Sequence, residues 1–355
     1  MITTSALDLN LLAELCALPG VAGFEQPVAR RLQEIFEALG IATRRDRIGN
    51  LVAHLPGQGP RVMLFAHMDE VGLLVRKIHP QGFLYVERLG GTSPHTLPGT
   101  KVLAWTEHGS LPGVIGAMPM HLANEHAPAA LQDLYIDLGA RSRRRVEELG
   151  VAVGTPVTFA GELLHLDGSL ASKALDDRLG CWLLVELARS IQAQPASCDL
   201  HLAFLVQEEN VFYAGLPVAQ AVQPDYAIGV DATLAFDTPD LKDGQTDLHS
   251  GGGTVIKVMD RIRASGTGFV ANPGLRAHLE RLAAENGLPF QREIVIGLST
   301  LASMLPFAGS GLPVAAISFP LRYSHSPLEV CSQSDIVATG ALLELAVRHP
   351  WQASL

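Results

Sequence analysis

The chain has 355 residues, 48% of them hydrophobic and 17% charged, and a formal net charge of −10. That length and apolar content suit two domains, or one with a large insertion, and exclude a disordered chain. The acidic balance argues against nucleic-acid or anionic-membrane partners, and no apolar run reaches the length of a membrane span.

Residues Leu7 to Leu18 place Leu11, Leu15 and Leu18 at helical spacing, which predicts a helix. Pro19-Gly20-Val21-Ala22-Gly23 breaks it, and Pro27 opens a second helix to about Leu39, ended by Gly40. Ile48 to Ala53 reads as a strand leading through a Gly/Pro turn into Arg61-Val62-Met63-Leu64-Phe65-Ala66. A short run that is apolar on both faces predicts a strand buried inside a parallel sheet. It ends abruptly in His67-Met68-Asp69-Glu70. From about Gly82 to Phe159 the runs become short, β-rich and punctuated by glycine and proline, as in a small barrel or sandwich. One helical segment, Arg143 to Leu149, interrupts them. Its basic start, Arg141 to Arg145, lies beside Glu147 and Glu148 and reads as a solvated helix face.

The α/β rhythm then returns. Asp177 to Ala193 is a predicted helix, Leu200 to Val206 a buried strand ending at Glu208-Glu209, and Tyr226 to Val230 a strand ending at Asp231. Asn272 caps a helix that Pro273 opens and that reaches Glu285. Val314 to Phe319 is the next strand, followed by Arg322-Tyr323-Ser324-His325-Ser326-Pro327, and Ser334 caps a closing helix to about Arg348. The expected division is an α/β domain of residues 1–72 and 166–355 with residues 73–165 inserted as a β module. Cys16, Cys181, Cys198 and Cys331 have no paired spacing, which fits reduced thiols in the cytoplasm. Met1 to Ser5 lack a secretory-signal pattern.

Four strands therefore lead to residues of metal-binding type: His67 and Asp69, Glu208 and Glu209, Asp231, and His325. Asp176-Asp177 opens a helix. In a parallel sheet such strand ends converge on one edge, where ligands bind. So many carboxylates together repel one another unless cations join them. Two divalent metals sharing a carboxylate remove the problem, and a mixed imidazole and carboxylate set suits zinc, cobalt or manganese. Gly251-Gly252-Gly253 reads as a turn rather than a dinucleotide site, His121 and His126 lack a metalloprotease helix motif, and no serine-hydrolase elbow is present.

Almost end to end, the chain resembles the M42-family metallo-aminopeptidases, which include the tetrahedral (TET) and FrvX-like proteins. The resemblance rests on Pro19-Gly20-Val21-Ala22-Gly23-Phe24-Glu25, Ala66-His67-Met68-Asp69-Glu70-Val71-Gly72, Pro112 to Gly116, Lys173-Ala174-Leu175-Asp176-Asp177-Arg178, Gln207-Glu208-Glu209, the Asp231 to Pro239 segment and Arg322 to Pro327. It implies a zinc-peptidase-like mixed sheet flanked by helices, with an inserted small β-barrel or PDZ-like dimerisation domain. It further implies two metal ions per subunit, zinc first with cobalt or manganese as alternatives. His67 and Asp231 would hold one metal, Glu209 and His325 the other, and Asp176 would bridge them, with a cis Asp176–Asp177 peptide. Asp69 would orient His67, and Glu208 would be the general base. Short peptides would be the substrates of a homo-oligomer built from dimers, up to a tetrahedral dodecamer.

Two departures from the family pattern bear on the substrate pocket. Asn210-Val211-Phe212-Tyr213-Ala214 follows Glu209 where many members carry Val-Gly-Leu-Arg-Gly, and Leu301 stands in place of a late carboxylate. Leu301, Phe212 and Tyr213 suggest an apolar first pocket. Two other readings stay open on the sequence: an amidase or deacylase using the same metals on a modified amino acid, and a catalytically weak homologue whose assembly surface is its function.

Overall fold

A computed structural model describes residues 8–116, 118, 121, 133–241 and 246–352. Helices α1 (Leu9–Ala17) and α2 (Gln26–Ala38) come first, then strands β1 (Ala42–Arg45), β2 (Leu51–Leu55) and β3 (Arg61–His67). Asp8 caps α1 by accepting the Leu11 N–H at 3.2 Å, and Gly40 turns the chain after α2 with φ +68°. Leu7, His126 and Met1 to Ser5 lie outside the described residues.

Six strands then form a closed barrel: β4 (Gly72–Ile78), β5 (Leu84–Leu89), β6 (Lys101–Thr106), β7 (Gly109–Ile115), β8 (Tyr135–Asp137) and β9 (Pro156–Phe159). Their order is β4-β5-β8-β7-β6-β9, with the short helix α3 (Arg143–Glu148) between β8 and β9. The barrel has its own core of alternate strand residues such as Leu73, Val75, Val86, Val102, Ile136 and Val157.

After the barrel come β10 (Leu164–Leu166), β11 (Ser169–Ser172), α4 (Leu175–Ala193), β12 (Asp199–Leu205), α5 (Gly215–Val222) and β13 (Tyr226–Leu234). The chain closes with β14 (Thr254–Arg261), β15 (Gly268–Val270), α6 (Pro273–Glu285), β16 (Phe290–Ile296), β17 (Val314–Arg322), β18 (Glu329–Ser332) and α7 (Gln333–Arg348). A 12-stranded mixed sheet runs β1-β2-β12-β3-β13-β17-β18-β11-β10, with β14, β15 and β16 branching from β17. Its centre, β12, β3, β13 and β17, is parallel, which is the mixed α/β architecture expected.

The apolar run of β3 explains this layering. Val62, Leu64 and Ala66 pack into the large core with Leu15, Phe36, Trp182 and Leu183. Met63 and Phe65 face the other way, against Val218, Leu305 and Val314. Helix α4 is buried on nearly every side, including Leu179, Trp182, Val185 and Ile191, as a helix between a sheet and other helices must be.

The structure departs from the sequence reading in several places. Strands β1, β4, β10, β11, β14, β15, β16 and β18 and helix α5 are additional; β1 is largely exposed, so it lacked the apolar pattern of a buried strand. Strand β13 runs on past Asp231 to Leu234 because its parallel pairing with β17 continues to Leu321. Helix α7 starts at Gln333, with Ser332 rather than Ser334 at the cap position. Gly251 to Gly253 form a turn, whose Gly251 and Gly253 N–H groups donate to Asp335 at 2.7 Å each. Among the described residues no helix is long and apolar enough to cross a membrane.

Phe204 of β12 is fully buried and its ring meets Phe36 at 5.5 Å. Phe204→Ala is expected to cost about 3–5 kcal/mol of stability, read as a lowered denaturant midpoint of the α/β body.

Candidate metal centre

Strands β3 and β13 pair only from Val62/Tyr226 to Phe65/Gly229. Beyond that point they part, and the crevice opens where open α/β sheets take ligands. His67, the last residue of β3, points its Nε2 into it, 3.1 Å from Asp176 Oδ1 and 3.8 Å from Asp231 Oδ1. His325, three residues past β17, brings its Nε2 to 3.5 Å from Asp176 Oδ2 and 3.4 Å from Glu209 Oε1. Asp176 therefore stands between the two imidazoles. Ser324 Oγ also donates to Asp176 Oδ2, at 3.3 Å. Glu208 and Glu209 follow β12 and line the same cavity, of about 550 Å³.

Asp69 sits behind His67. Its Oδ1 is 3.4 Å from His67 Nδ1, and Nδ1 has no hydrogen-bond partner among the described residues. Its two oxygens accept the N–H groups of Glu208 and Glu209 at 2.9 Å each. One carboxylate thus fixes the turn that carries the next two. The Asp176–Asp177 peptide is cis. Asp177 also lies near His67 and Asp231, but its oxygens already accept from His67 N at 3.0 Å and Gly180 N at 3.2 Å. Asp176, by contrast, faces both imidazoles with its two oxygens.

The electrostatics of the site follow from burial and from the charges packed together. Burial, helped by Asp176 and opposed by His67, raises Asp231 to about 7. Burial, opposed by His325 and helped by Asp176, raises Glu209 to about 7. Burial also pushes Glu208 well above the usual carboxylate range, against the pull of His67 and with Asp231 and Glu209 adding to it. Burial would lower His325, but Glu209 and Asp176 outweigh it and lift it to about 10. Asp176 alone is held low, because His325 and His67 overcome its burial. Carboxylates pressed towards neutrality beside two imidazoles form a donor set that divalent cations would satisfy.

Bracing comes from buried charges around the crevice. Lys173 Nζ is 2.6 Å from Glu70 Oε2, and Arg178 Nη2 is 3.5 Å from Glu70 Oε1. Arg178, fully buried, also donates to Met68 O at 2.7 Å and Leu15 O at 2.6 Å, which ties the His67 to Asp69 turn to helix α1. A Cβ on Gly20 would come 2.7 Å from Arg178 Nη2. Glu25 accepts the Gln207 N–H at 2.9 Å. The Pro19 to Glu25 and Lys173 to Arg178 segments are therefore supports of one site.

Four contributors went unread in the sequence. Glu329 accepts from Asp176 N at 3.0 Å and His325 N at 2.9 Å, and so orients both sides of the centre. Its only signal was a carboxylate opening a wholly buried strand. Ser324, a hydroxyl inside the Arg322 to Pro327 motif, carries no sequence signal of its bond to Asp176. Gly90 and Gly91 bring the barrel's loop over the crevice, where Cβ atoms would lie 2.9 Å from Glu209 Oε2 and 2.7 Å from His325 Nδ1. The pocket expectation is corrected in part. Phe212 lines the cavity, but Leu301 is packed into the core below it, and Tyr213 is 58% exposed and outside the lining.

A family model for the M42 glutamyl aminopeptidases matches residues 49–342. This chain belongs to the M42 family. It is a hydrolase of that family, and metal dependence comes with the family. It is 32% identical to the lysyl aminopeptidase of Pyrococcus furiosus over 93% of this chain and 94% of that one. Among solved structures, aminopeptidase APDkam598 of the archaeon Desulfurococcus kamchatkensis matches with a TM-score of 0.89 and 31% identity, over 96% and 94% of the two chains. The TET1 peptidase of Pyrococcus horikoshii, which can assemble into a tetrahedron or a large octahedral shell, matches with a TM-score of 0.85 and 29% identity, over 96% and 98%.

Glu329→Gln puts an amide N–H against one of the two backbone donors the carboxylate accepts. A loss of divalent-metal affinity of about 10–100-fold is expected, with the fold retained, measured by equilibrium dialysis and circular dichroism.

Proposed function

We propose that this M42-family chain is a dinuclear-metal aminopeptidase removing N-terminal residues from short peptides. The observation that carries the reading is the convergence of His325, Asp176, Glu209 and Asp231 on one cavity that Glu208 also lines, with the buried His67 bringing Nε2 to 3.1 Å from Asp176 and 3.8 Å from Asp231. His67 and Asp231 would hold one cation, Glu209 and His325 the second, and Asp176 would be shared. Imidazole with carboxylate favours zinc, with cobalt or manganese as alternatives. Bound there, the cations would bring the pKa of a water towards neutrality and polarise the scissile carbonyl.

The chain's own groups supply the rest. Glu208, its backbone fixed by Asp69, takes the water's proton and delivers it to the departing amine. Asp69 holds the His67 ring from behind. Among the described residues the remaining cavity wall, including Phe212, Leu234, Ile262 and Leu298 with Thr233, Ser299 and Thr300, carries no charge. It suits a neutral first side chain of the peptide. Glu208→Gln is expected to keep its metals and lose about 10²–10⁴-fold in kcat on aminoacyl-nitroanilides; retention of full turnover contradicts the assigned base. Chelation should abolish turnover and zinc, cobalt or manganese restore it. Cleavage of acylated but not free amino termini would move the reading to a deacylase.

The closed barrel, whose strands run from Gly72 to Phe159, is proposed as the dimerisation module expected at residues 73–165, on the strength of the shells formed by the Pyrococcus horikoshii relative. Sedimentation of the full chain should give an even-numbered oligomer, up to twelve copies as in a tetrahedral dodecamer, and substitution of the exposed Val114 of β7 by glutamate tests the barrel's part in it.

A further inference from the structure

A second group of ligand-type side chains lies towards the other end of β12 from the catalytic crevice. Asp199 and His201 are two residues apart on that strand, so their side chains share a face. The antiparallel register sets His54 of β2 directly across from His201. His54 Nε2 is 2.7 Å from Asp199 Oδ1, and His201 Nε2 is 3.4 Å from Asp199 Oδ2. The two imidazoles stack with centroids 4.3 Å apart and planes 11° from parallel. One donor atom from each of the three residues falls within 4.8 Å of the others. Side-chain exposures of 41%, 20% and 13% for His54, Asp199 and His201 leave the group open to ions from solvent.

The arrangement does more than neutralise a charge. Arg61 Nε already donates to Asp199 Oδ2 at 3.0 Å, so the carboxylate has a cationic partner without either imidazole. Burial, with the facing His54 adding to it, lowers His201 below the usual imidazole range. Each Nε2 donates its proton to the one carboxylate, and a divalent cation between the three groups would replace those protons. The rings would have to turn out of their stack for both Nε2 atoms to approach one zinc ion at the roughly 2 Å it requires.

We propose that His54, Asp199 and His201 form an auxiliary site for a late first-row divalent cation of the zinc, nickel or copper class. Two imidazoles and a carboxylate select such ions over magnesium or calcium. The cation would pin β2, next to the edge strand β1, onto β12. His201 is four residues before the end of β12, about 13 Å at roughly 3.3 Å per residue, so this cation is separate from the catalytic pair.

The test compares chelator-stripped wild-type protein with His54→Gln and His201→Gln, each equilibrated with zinc chloride and counted for zinc per chain. Glutamine keeps a hydrogen-bonding group near Asp199, and neither residue touches the crevice. The wild type is expected to take up one more zinc than either variant, whose affinity for that ion falls by at least about 100-fold. Melting temperatures without metal and peptidase turnover with the crevice loaded should match among all three. Equal zinc counts in the wild type and in either folded variant overturn the proposal. The difference of one does not depend on the catalytic pair; failure of the dinuclear reading would instead lower the count shared by all three proteins.

Discussion

Mutual repulsion among buried carboxylates is the constraint to which the rest of this structure answers. Asp176, Glu208, Glu209 and Asp231 share one crevice, with two imidazoles as their nearest counter-charges. Two like charges 4 Å apart cost about 4 kcal/mol at an effective dielectric of 20, against a whole-protein stability of about 5–15 kcal/mol. A fold that keeps several such groups together needs rigid elements to hold them and cations to justify them. The parallel strands supply rigidity, because β12, β3, β13 and β17 are locked to one another and covered on both faces.

The second requirement is a brace for the turns between strand and site. Arg178 binds carbonyls of both the His67 turn and helix α1, while Glu70 takes Arg178, Lys173 and the Gly20 N–H. Buried ion pairs of this kind are poor sources of net stability but costly to break singly. Their use here is positional, since they fix Asp176 and Asp69 from outside the crevice. The same logic places Glu329 beneath Asp176 and His325.

Much of this was legible in the sequence, for reasons specific to particular residues. Val62 to Ala66 announced a two-sided strand because both its faces are buried, and His67 announced the site because polarity began where the strand ended. Asp231 was found although β13 continues past it, since a carboxylate in an apolar run stands out whatever the strand's length. Glu329 and Gly90 were missed because their roles depend on where tertiary structure brings them: one bonds backbone N–H groups, the other has no side chain to read. Leu301 was misjudged for the opposite reason. It stands where the family pattern has a carboxylate near the site, which implied lining, whereas the turn carries it into the core with Val218 and Leu305.

The central claim is that one carboxylate, Asp176, joins two cations in the crevice. An anomalous-difference map from crystals of the metal-loaded protein tests it most directly. The account predicts two peaks about 3.5–4 Å apart flanking Asp176, one beside His67 and Asp231 and the other beside Glu209 and His325. A single peak, or peaks away from Asp176, would contradict it.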